Sequence, residues 1–82
     1  MNKQMATIHI WEYSTRRFRV LMSKDPFNII IQEAMANPND WVTLDEKLFE
    51  QLAHDGLDPL MIRAYDIVKM LKTVCDIVNK DI

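Results

Sequence analysis

A single glycine in 82 residues leaves no material for a phosphate-cradling loop, which needs several backbone positions free of a side chain. A single cysteine, Cys75, excludes an internal disulfide. With only His9 and His54 beside it, no set of soft ligands stands at a zinc spacing, so no metal is expected. The most apolar stretch, Leu60 to Lys80, is interrupted by Arg63, Asp66, Lys69, Lys72 and Asp76 and is not expected to enter a membrane. No long apolar run follows Lys3, so a secretory signal is not expected and the cytoplasm is the expected location. No nucleophile stands beside a base at a readable spacing. Asp45, Glu46, Asp55 and Asp58 are accounted for as helix-end residues. Catalysis and a cofactor are therefore not expected.

Apolar side chains are what the chain has in quantity. They make up 49% of the residues, more than a small domain can easily hide, which favours self-association over a large private core. Cys75 reads as one of these small buried hydrophobes rather than as a reactive thiol. Charge is divided unevenly. Residues 1–24 carry five bases against one acid, and the remainder carries eleven acids against five bases. Two oppositely charged halves can steer a partner or a second copy.

The longest periodic signal lies after Asp58-Pro59. Leu60, Ala64, Ile67, Leu71, Val74 and Val78 recur at steps of four and three, the spacing of one helix face. Met61, Val68 and Cys75 widen that stripe on one side, Met70 and Ile77 on the other. A stripe so wide predicts a spine helix packed on more than one flank, with Met70 and Ile77 left for a dimer contact. Upstream, Thr43-Leu44-Asp45-Glu46 has the form of a capping box, and the helix it opens should end at Gly56 with Leu57 packed back on it. Asp25-Pro26 resembles another N-cap. The spacing of Phe27, Ile30, Ile31, Ala34 and Met35 then predicts a helix as far as Asn37-Pro38, although the triplet Ile29-Ile30-Ile31 also suits a strand.

The N-terminal region has the other period. Residues 6–13 alternate, Ile8 and Ile10 on one face and Thr7, His9, Trp11 and Tyr13 on the other. Residues 17–23 repeat the pattern, with Phe18, Val20 and Met22 opposed to Arg17, Arg19 and Leu21. The polar break Ser14-Thr15-Arg16 joins them into a β-hairpin. The expected fold is thus α+β in one domain over residues 1–82: a two-stranded N-terminal hairpin packed on three helices, the last as spine.

Function is less legible. The turn between the last two helices is not read as a DNA-binding helix-turn-helix, because Leu60-Met61-Ile62 is apolar where a recognition helix is polar and basic. Trp11, Tyr13, Arg16, Arg17 and Arg19 bring aromatics and guanidiniums together on the hairpin, and these are the candidate partner-binding residues. The expected role is a protein–protein interaction or regulatory protein, an adaptor or an inhibitor of the phage or plasmid kind, docking on a protein partner as a homodimer. The alternative is a nucleic-acid-binding protein that uses the same basic aromatic hairpin for stacking and phosphate contact.

Overall fold

The computed structural model describes residues 5–24, 27–37 and 39–80, and its fold is a four-stranded antiparallel sheet followed by two helices. The strands are β1 (Met5–Tyr13), β2 (Arg16–Ser23), β3 (Asn28–Ala34) and β4 (Trp41–Thr43), side by side in chain order. The helices are α1 (Glu46–Gly56) and α2 (Pro59–Lys80). The class α+β stands, but the two-stranded hairpin on three helices is corrected to four strands and two helices.

The correction centres on residues 27–35. Ile29, Ile30 and Ile31 lie in β3, paired with Met22, Leu21 and Val20 of β2, instead of in a helix. β-Branched side chains lose rotamer freedom in a helix and fit a pleated surface. A lone hairpin would also leave the second edge of β2 unpaired and could not support the helices. Ile29 and Ile31 are buried under the helices while Ile30 points the other way. The Asp25-Pro26 cap expected for that helix lies outside the described residues.

β4 follows a tight reversal, in which the Met35 N–H donates to the Asp40 carbonyl at 2.8 Å. Thr43 therefore ends a strand and heads no capping box. The N-cap of α1 is Asp45, whose carboxylate accepts from the Lys47 N–H at 2.7 Å. At the start of α2, Asp58 plays the expected part and accepts from the Leu60 N–H at 2.8 Å.

In the first hairpin Tyr13 pairs with Arg16 and Trp11 with Phe18. Ser14 takes a left-handed φ of 58°, which lets the short loop close without Asn-Gly. An irregularity between Thr7 and His9 leaves Ile8 without a partner on β2. Both helices lie on one face of the sheet. Trp11, Phe18, Val20, Ile29 and Ile31 meet Phe49 and Ala53 of α1 and Met61, Ala64, Val68 and Cys75 of α2 in a single core. Trp11 stacks on Phe18 with 5.3 Å between ring centroids and meets Phe49 edge-on at 5.8 Å.

The buried line of α2 is not the expected one. Met61, Ala64, Val68 and Cys75 are covered, whereas Leu60 and Val74 of the stripe are exposed and Ile67, Leu71 and Val78 are half-buried. The helix is turned by about one residue position toward α1. Contacts with α1 account for the turn: Lys72 Nζ lies 3.2 Å from Glu46, and the rings of Tyr65 and Phe49 are 6.1 Å apart. Near its end Asn79 accepts from the Phe27 N–H at 3.2 Å and donates to the Phe27 carbonyl at 2.8 Å, tying α2 to the start of β3.

Candidate functional site

The register divides the five hairpin residues between two faces. Trp11 and Tyr13 belong to the helix-covered side. Trp11 is 8% exposed, and the Tyr13 hydroxyl donates to the Gly56 carbonyl at 3.2 Å. Arg16, opposite Tyr13, clasps Glu33 through two bonds of 2.6 and 2.7 Å and lies 5.3 Å from the Phe18 ring centre. The hydrogen bond to Glu33 holds the Arg16 guanidinium above its ordinary value despite partial burial. Trp11 stacks with both His9 and Phe18, Tyr13 is half-buried, and Arg16 is engaged within the chain. The register keeps Trp11, Tyr13 and Arg16 together on the helix-covered side, apart from Arg17 and Arg19.

Arg17 and Arg19 are on the opposite face, which neither helix covers. One row there runs across the whole sheet, Ile10, Arg19, Gln32 and Thr43 in register on the four strands. Arg19 Nε donates to Gln32 Oε1 at 2.8 Å, and Gln32 Nε2 donates to Thr43 Oγ1 at 3.2 Å. The Arg19 guanidinium also lies over Trp41, 4.1 Å from the ring centre. A second row, Thr7, Leu21 and Ile30, is more apolar. Leu21 is buried here without belonging to the core, shielded on the open side of the sheet. Ile10 is 50% exposed. Arg17 approaches Glu12 only to 3.9 Å, between two exposed side chains, and is held weakly.

Trp41 is the member of this surface that sequence reasoning missed, because residues 37–43 read as a turn leading into a helix. The signal was the β-prone triplet Trp41-Val42-Thr43 directly after that turn.

A second exposed surface runs along α2. Leu60, Met70, Val74 and Ile77 are all more than two-fifths exposed, Met70 at 59% and Ile77 at 57%. Among the described residues no group of His, Cys, Asp and Glu could hold a metal ion. His9 stacks beside Trp11, and His54 lies near Glu50 on the surface of α1. Cys75 is buried in the core, and burial, with a smaller effect of Asp76, pushes its thiol pKa up. No helix among the described residues is long and apolar enough to cross a membrane. No protein-family model, no curated protein and no solved structure matches the chain.

Proposed function

We propose that this chain is a small cytoplasmic, non-enzymatic docking protein, an adaptor or inhibitor that lays the open face of its sheet against a protein partner. The observation that carries the reading is the uncovered face itself. It carries exposed Ile10 and shielded Leu21 and places Arg19 on Trp41. Apolar side chains surrounding an arginine–tryptophan pair have the composition of a protein-binding hot spot. Among the described residues of this face, two guanidiniums against the single carboxylate of Glu12 suit a partner that is acidic at its rim. Copies of the chain pair through the exposed flank of α2, with Met70 and Ile77 in the contact.

Nucleic-acid binding is the second reading. It draws on Arg17, Arg19 and Trp41, but the tryptophan face is already occupied by Arg19.

Capture with the immobilised full chain, identification by mass spectrometry and rebinding of the purified candidate test the first reading. Ile10→Glu and Arg19→Glu should each weaken that purified interaction by about tenfold or more while leaving the melting temperature near that of the parent. Lys47→Ala, on the far side of α1, should leave it unchanged. Undiminished binding by both sheet variants would reject the open face as the docking site. Salt-sensitive binding to single- or double-stranded probes, lost in Arg17→Ala/Arg19→Ala, would establish the second reading instead.

A further inference from the structure

The two edges of the sheet are unequal. β4 is three residues long, short enough to discourage pairing with another strand. β1 has nine residues, no proline, no lysine and one charge, Glu12. Apart from the irregularity at Ile8, it carries none of the usual devices that keep an edge from pairing. Antiparallel pairing to β2 alternates, so every second residue of β1 directs its N–H and C=O away from the sheet.

The N-terminal half of α2 lies on the same side. His9 and Trp11 of β1 and Leu60, Arg63, Ala64 and Ile67 of α2 line a groove of about 230 Å³. Continued along the helix, that flank presents Met70, Val74 and Ile77, and Arg63 is the single charge in the series. Trp11 supplies a third observation. It lines the groove, it is 8% exposed, and its indole N–H has no acceptor among the described residues. A buried donor left unpaired is unfavourable enough to be rare in a folded protein.

We propose that a second copy of this chain docks along this edge, its β1 antiparallel to the first, with the apolar flanks of the two α2 helices closing over the seam. The inference rests on the self-association given above and specifies its geometry. Size supports a second copy as occupant. β1 runs about 30 Å, and the sheet and the helix layer above it are together about 20 Å deep, which gives this edge a side wall of roughly 600 Å². A specific interface needs about 500 Å² on each side, so the wall suffices. Charge supports it too. A two-fold contact sets a surface against itself, which an apolar flank tolerates and a patch of one sign does not. With the two-fold near His9, Glu12 falls opposite the uncharged start of the partner strand. The product is one eight-stranded sheet with all helices on one face, and it sets two open docking faces side by side.

Sedimentation and amide exchange on the full-length chain, from low micromolar to millimolar concentration, provide the test. The expected result is a particle of twice the 9.7 kDa chain mass. The outward-directed β1 amides should exchange at least about tenfold more slowly in it than on dilution. The Trp11 indole N–H resonance should shift over the same range, and Met70→Glu should remove both effects while retaining the parent circular dichroism. A dimer whose outward β1 amides exchange equally fast at every concentration would overturn the β1 seam and leave self-association through α2 standing. A single-chain mass at millimolar concentration would overturn the seam and self-association together, while docking by the open face is decided separately with the purified partner.

Discussion

The phenol oxygen of Tyr13 lies 2.7 Å from the point where a Cβ on Gly56 would stand. This close approach, across the gap between β1 and the end of α1, is why the one glycine is where it is. The left-handed residue after α1 is Leu57, at φ 52°, so glycine is needed here for space rather than for its backbone freedom. Alanine is the better helix former by about 1 kcal/mol. Overpacking against a ring held by its bond to the Gly56 carbonyl should outweigh that gain, and Gly56→Ala should lose about 1–2 kcal/mol in urea denaturation. In the Tyr13→Ala background the same change should be neutral or stabilising, and a double-mutant cycle measures the difference. Additive effects would show that the two residues do not meet.

Leu57 is the complementary case. It occupies the left-handed position after α1 and is 76% exposed, so little packing offsets the steric strain on its Cβ. Leu57→Gly should raise stability by about 0.5–1 kcal/mol even though it removes a large apolar side chain. A lower melting temperature for the variant would mean that the leucine makes contacts that compensate for its backbone.

The core line of α2 predicts an order of sensitivities. Met61 is fully buried and Leu71 only half-buried at the margin of the core. Met61→Ala should cost about 2–5 kcal/mol, enough to unfold most of a domain this small, and Leu71→Ala distinctly less. Lys69→Ala, on the wet side, should change stability by less than about 0.5 kcal/mol. A lower urea midpoint for Leu71→Ala than for Met61→Ala would restore the expected heptad stripe as the buried one.

Cys75 should be chemically silent in the folded protein. Its thiol pKa is raised by burial and by Asp76, so the native state keeps the proton where the unfolded chain has begun to lose it. The resulting contribution to stability is complete below the unfolded thiol's value, about 8.5, and is lost as pH rises through the folded value. Stability should therefore decline above about pH 8.5 more steeply in the parent than in Cys75→Ala. A disulfide reagent at neutral pH should label the thiol only once denaturant is added, and rapid labelling of the native protein would contradict its place in the core.

The alternating runs at residues 6–13 and 17–23 were legible as a hairpin because period two survives without any distant contact. Asp58-Pro59 was legible as a helix start because a cap is completed within its own turn. The segment at Phe27–Met35 was not, since its residues satisfy both periods, and only the free edge of β2 made the strand the better solution. Trp41 went unnoticed as a site residue for the same reason: β4 exists only as the neighbour of β3, and Arg19 reaches Trp41 only across a sheet. Local sequence determined where elements start and stop wherever the deciding interactions lie within a few residues. Tertiary structure decided which faces are covered. The choice between core and surface for Trp11, Arg19 or Val74 depends on neighbours far along the chain, and a residue's own spacing carries no record of them.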